Sequence, residues 1–168
     1  MMRRSILALG LAAALLVAMA APAWAPWTWL LSSIQGVACG TPDGAVGSFS
    51  GEITVDRFVV GKVGPEAFVQ LAGTCVTTTG KELEVDSGNL SRIPVVIVAA
   101  GCEQLELLLG PAVEESRDGF VTIDPFKVSL DNAEGSKRLG HTLCSASKVS
   151  RLPLPAQVAA LNRVLNAS

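Results

Sequence analysis

The chain holds one histidine. A hydrolytic triad needs a nucleophile, an imidazole and an orienting acid, so every such arrangement must run through His141. Ser145 and Ser147 follow it along the same helical stretch, a spacing that does not make a relay, and His141 reads as a solvent-facing or capping residue. The other candidates are carboxylates. Glu114, Glu115 and Asp118 lie in one acidic stretch, 112–119, and two carboxylates a few ångströms apart can act as acid and base in sugar hydrolysis. This stretch reads instead as a turn carrying solvated acids. Clustered carboxylates also suit calcium, yet no D-x-D-x-D-G loop occurs, and no glycine-rich dinucleotide or phosphate loop is present. With no tyrosine and five phenylalanines, few rings remain for stacking sugars. No catalytic, cofactor-binding or metal-ligating residue is assigned, and a non-enzymatic protein is expected.

Four cysteines remain: Cys39, Cys75, Cys102 and Cys144. Zinc sites use closely spaced pairs, and here no two cysteines are close and only one imidazole is available. An even set in an exported chain points to disulfides. Three pairings are open. The favoured one is sequential, Cys39 with Cys75 and Cys102 with Cys144, closing loops of about 35 to 45 residues worth about 3 to 4 kcal/mol each in the chain-entropy account.

Export is read from the N-terminus. Arg3 and Arg4 precede an apolar run over 6–21 and then small residues, the layout of a secretory signal. Ala18-Met19-Ala20 and Ala21-Pro22-Ala23 both offer small residues for cleavage, so 1–23 is assigned as signal peptide and 24–168 as a single extracytoplasmic domain. The expected location is secreted or periplasmic. The alternative is an N-terminal membrane anchor, or a weak membrane association, through Trp24, Trp27 and Trp29, residues that favour the interface. The apolar run, at about 16 residues, is short of the roughly 20 that a spanning helix needs.

Removing Arg3 and Arg4 leaves 11 basic against 15 acidic residues, a net charge near −4. Nucleic acid rewards a basic face and is excluded as a partner. Asn89-Leu90-Ser91 and Asn166-Ala167-Ser168 match the glycosylation pattern, which matters only in a eukaryotic host.

The elements that would position these residues follow from periodicity. Trp27, Leu30, Leu31 and Ile34 form the stripe of a short helix ending near Gly36. Over 47–60 the period is two, with Phe49, Gly51, Ile53 and Val55 on one side and a slip near Arg57 that predicts a bulge or a strand end. Residues 66–79 form a second strand, Val69, Leu71, Gly73 and Cys75 sharing a side, and the pair makes a hairpin. The polar stretch 81–92 is a loop or short edge strand. Residues 93–100 are continuously apolar, as in a strand buried on both faces, with Pro94 confining its start to an edge or a first position. Residues 102–109 alternate through Leu105, Leu107 and Leu109 up to Gly110-Pro111, and 120–130 is extended with a slip at Asp124-Pro125. A helix over 139–150 places Leu143 and Ala146 inward. Leu154, Val158, Leu161 and Leu165 define a last helix, with Pro155 in its first turn. The fold class is α+β: a mainly antiparallel sheet of about five strands with C-terminal helices, held by disulfides.

From Cys102 onward the chain resembles a group of uncharacterised secreted bacterial proteins whose second half reads roughly C-x-x-L-x-L-x-L-G-P, then alternating leucines and valines, then L-G-x-x-L-C. Cys102, Leu105, Leu107, Leu109, Gly110 and Pro111 stand at the first set of places, and Leu139, Gly140, Leu143 and Cys144 at the last. Residues 51–58 are similar to a glycine-framed strand of those proteins that ends in Arg-Phe, and 161–165 to their leucine-asparagine tail. The resemblance implies a shared extracytoplasmic β-rich scaffold with a Cys102–Cys144 bridge, and no activity. The chain departs from the group in its acids after Gly-Pro and in having Cys39 and Cys75.

The function expected from these residues is that of an exported structural or interaction domain of unknown partner. A periplasmic or extracellular carrier of a lipid or other apolar ligand stands second, requiring a cavity lined by the leucines of 102–109 and 120–130. A hydrolase of unrecognised type stands last.

Overall fold

Alternation of inward apolar and outward polar residues governs most of the chain. The computed structural model describes residues 32–86, 88, 90–117, 119–132 and 135–168. The signal, the tryptophans and most of the expected first helix lie outside these residues, as do Asn89 and Asp118. Nine strands are described: β1 (Ser32–Gly40), β2 (Val46–Val60), β3 (Pro65–Thr77), β4 (Glu82–Asp86), β5 (Ser91–Ala100), β6 (Gln104–Leu109), β7 (Ala112–Ser116), β8 (Gly119–Ile123) and β9 (Phe126–Asp131). Helices α1 (Lys137–Ala146) and α2 (Leu154–Leu165) follow, joined through a 3-10 turn at Val149–Arg151.

All pairings are antiparallel, and six strands close into a ring. β1 pairs with β2, β2 with β3, β3 with β4, β4 with β7, β7 with β8, and β8 with β1. The long β3 uses one edge twice. Ala72–Val76 pair with β4, whereas Glu66–Val69 pair with β5, which leads on to β6 and β9. A barrel and a side sheet therefore share the β2–β3 hairpin.

Curvature is visible at the Cys39–Cys75 bridge. Cys39 is opposite Gly47 of β2 and Cys75 opposite Phe49, so the bond crosses over one intervening strand. Next-but-one strands in a flat sheet lie about 9.5 Å apart, but these Cα atoms are 6.2 Å apart. The glycines allow the curl. Gly51 faces Gly73 across the pair, and a Cβ on either would lie 2.9 or 2.8 Å from Cζ of Phe49, whose buried ring occupies that space.

Helix α2 lies mainly on β2, α1 packs against α2, and the 3-10 turn meets β5. Leu139 and Leu143 of α1, Val149 of the 3-10 turn, and Val158, Leu161 and Val164 of α2 share one core with Ile93, Leu107 and Val128. Ser136 caps α1 through Leu139 N–H. Asn162 of α2 receives the Phe58 N–H at Oδ1 (2.8 Å) and donates from Nδ2 to the Phe58 carbonyl (2.9 Å). This pair of hydrogen bonds serves β2 beyond Ile53, where the described part of β1 ends, next to the register shift between Val55 and Arg57. Cys102, in the β5–β6 turn, is bridged to Cys144 on α1.

The antiparallel sheet, two C-terminal helices and both bridges agree with expectation, but nine strands replace about five. Ile34 is in β1 and faces inward rather than ending a helix. Gly36 is a bulge glycine with φ of 70°, because a bulge in a curling strand needs the same left-handed conformation that ends a helix. The polar stretch after Lys81 contains β4, with Leu83 and Val85 inward. Residues 112–116 are a strand, not a turn. The extended stretch 120–130 divides into β8 and β9, which pair with different partners. β5 is buried on one face only, with Pro94, Val96 and Val98 outward. It is also an interior strand; Pro94 sits where its pairing passes from β3 to β6.

Candidate functional site

The sequence-derived candidates separate in space. His141 is exposed on α1, Ser145 gives its hydroxyl proton to the Thr142 carbonyl (2.8 Å), and Ser147 is the helix C-cap. These groups do not form a relay. The four cysteines form the two bridges, Cys39–Cys75 and Cys102–Cys144, and no free cysteine is left. The first bridge is buried in the barrel, and the second is exposed. The leucines that would line an apolar carrier cavity, Leu105, Leu107 and Leu109, are packed into the core at 4 % exposure or less.

Glu114 departs most from expectation. In β7 the residues alternate, so Ala112 and Glu114 point inward while Val113 and Glu115 point outward. Glu114 is opposite Val121 of β8 and is only 3 % exposed. Its Oε2 accepts the Ser91 hydroxyl at 2.9 Å, whereas Oε1 is closed off from solvent and has no hydrogen-bond partner among the described residues. Burial pushes the carboxyl above the ordinary glutamate value, and the Ser91 bond pulls in the opposite direction with less effect.

The place of this carboxyl follows from the topology. β4 and β5 leave the same edge of β3 in succession, and β7 closes against β4 through a single bridge, Val85 with Ser116. Ser91, the first residue of β5, reaches into the resulting fork. A cleft of about 250 Å³ opens there, lined by Asp86, Ser91, Val113, Glu114, Glu115 and Phe120, with the backbone at Gly88. Val113 and Phe120 stand at its rim on the outer face of the β7–β8 hairpin, 59 % and 55 % exposed. Other hollows are larger, about 580 Å³ beside the β1 bulge and about 510 Å³ beside the Cys102 bridge, but neither is lined by a buried ionisable side chain.

No family model, curated protein or solved structure matches this chain. The site therefore rests on its own geometry. Among the described residues three carboxylates and no basic side chain line the cleft, which makes it a place for positive charge. Among the described residues no group of three or more His, Cys, Asp and Glu converges as a metal site. No described helix is long and apolar enough to cross a membrane.

Alternation in 112–116 was the signal that could have placed Glu114. It was obscured because the inward position holds an acid and the outward one a valine.

Proposed function

We propose that this protein is an exported, non-enzymatic interaction domain of the periplasm or extracellular space, which engages a partner through the β7–β8 end of its barrel. The observation that carries this reading is the adjacent exposure of Val113 and Phe120 beside an acid-lined cleft. Apolar side chains exposed around a concave polar site are the arrangement of a binding surface. Two disulfides support an oxidising compartment, and the basic, apolar, small-residue order of the N-terminus supports export. The resemblance to secreted bacterial proteins supports the same location, and their shared scaffold would include the Cys102–Cys144 bridge.

Site-specific photocrosslinking in the producing cell tests the reading. A crosslinking residue replacing Phe120 is expected to trap a discrete partner, whereas the same residue replacing Val63, which is 99 % exposed in the β2–β3 turn, is not. Equal labelling from both positions, or none from position 120, would remove the proposal. The intact mass of the exported protein without reduction reports the mature start and both bridges.

A further inference from the structure

We infer that the cleft between β4, β5 and β7 receives the cationic head group of a lysine or arginine side chain from a partner polypeptide, with Glu114 as its counter-charge. This rests on the interaction reading above and names what the partner presents.

Glu114 carries an oxygen without a partner among the described residues, in a side chain that is almost wholly buried. A buried polar atom left unpaired is costly, and a charged one more so. A hydrogen-bond donor that reaches this carboxylate relieves the cost, and a cationic donor does so for its ionised form. Ser91 already shows how a donor approaches, since its hydroxyl reaches Oε2 from the cleft wall at 2.9 Å.

Three features select the ligand class. Asp86 and Glu115 add negative charge, and among the described residues the lining contains no lysine, arginine or histidine to oppose it. Among the described residues the acids do not gather into a group of three or more that could hold a metal ion, so the carboxylate cluster of a calcium site is lacking there. The volume, about 250 Å³, is below the roughly 300 to 1,000 Å³ of sites for whole small molecules, and it suits one side chain. Val113 and Phe120 at the mouth then offer apolar surface to a long aliphatic stem, which lysine and arginine bury while their head groups stay solvated or paired.

The test is an amide-resolved NMR titration of the bridged, exported protein. The probes are a short capped peptide with one central lysine, the same peptide acetylated on the lysine nitrogen, n-butylammonium and calcium. The lysine peptide is expected to bind in the millimolar range and to shift the amides of Ser91, Val113, Glu114, Glu115 and Phe120. The acetylated peptide is expected to leave them unmoved. Glu114→Gln keeps the shape and is expected to weaken binding about tenfold or more. Glu115→Gln changes only the rim, keeps the fold and is expected to weaken binding about twofold to threefold.

Equal response to the acetylated peptide, a stronger response to n-butylammonium or calcium than to the peptide, or no response at millimolar peptide would each overturn the inference. A crosslink from position 120 combined with a silent titration would keep the partner surface and remove the cation from it. Loss of both would remove the interaction reading itself.

Discussion

Glu114 has two carboxylate oxygens in different surroundings, one bonded to Ser91 and one without a partner among the described residues. The physics of that difference is pH-dependent. Burial raises the folded-state pKa, so between the ordinary glutamate value and the raised one the native protein holds a proton that the unfolded chain has released. Stability contributed by this group is therefore greatest at low pH and falls as pH rises through that window. Glu114→Gln should remove this slope and make the protein more stable at neutral pH by on the order of 1 kcal/mol. Chemical denaturation across the range from the ordinary glutamate value to neutrality would show the two proteins converging at the acidic end. A difference that does not change with pH would mean that the Glu114 carboxyl titrates alike in the folded and unfolded chains. Its inward position could be reached from alternation once 112–116 is known to be a strand. Its pairing with Ser91 could not, because those residues meet only through the fork on β3.

Elements are joined here by a few specific contacts. Asn162 satisfies both backbone groups of Phe58 from the side of α2, as a neighbouring strand would. Asn162→Ala leaves a donor and an acceptor without partners at a part-buried place, and it should cost about 1 to 3 kcal/mol. Asn162→Asp, which keeps an acceptor and loses the donor, should cost less at low pH than at neutral pH. Hydrogen exchange of the Phe58 amide would report the loss directly. The β2–β3 crossing is equally specific. Gly73→Ala brings a methyl group against the buried Phe49 ring and the β2 backbone, so a loss of about 2 to 3 kcal/mol is expected. If Phe49→Leu restored most of that loss in the double variant, the ring would be the obstacle. A failure to restore would assign the cost to the backbone approach at Gly51.

Over the whole molecule, the two bridges close loops of similar length, 36 and 42 residues apart. The chain-entropy account therefore gives each about 4 kcal/mol. Their accessibility differs. Cys39 and Cys75 are 3 % and 0 % exposed, whereas Cys102 and Cys144 are exposed. Mild reductant under native conditions should open Cys102–Cys144 first and Cys39–Cys75 only with unfolding. Mass spectrometry with differential thiol labelling distinguishes this from simultaneous opening. Retention of the helices after the outer bridge opens would follow from the core that joins Leu143, Val149 and Leu161 to the side sheet.

Local pattern sufficed for several parts of this protein. The β2–β3 hairpin, its slip near Arg57, the leucine alternation of β6 and the stripe of α2 were legible because each depends on neighbours within a few residues and on one buried face. The favoured cysteine pairing was consistent with the bridges that formed. Strand number was not legible, since Gly36 signals a bulge as readily as a helix end, and short strands such as β4 and β7 are defined by the partners across from them. Closure of the ring was decided by distant pairings, β8 on β1 and β7 on β4, together with glycines that let β2 and β3 approach. The cleft exists because β4 and β5 share one edge of β3. Sequence neighbours carry no trace of that arrangement, because the pairing energy that creates it arises between residues far apart along the chain.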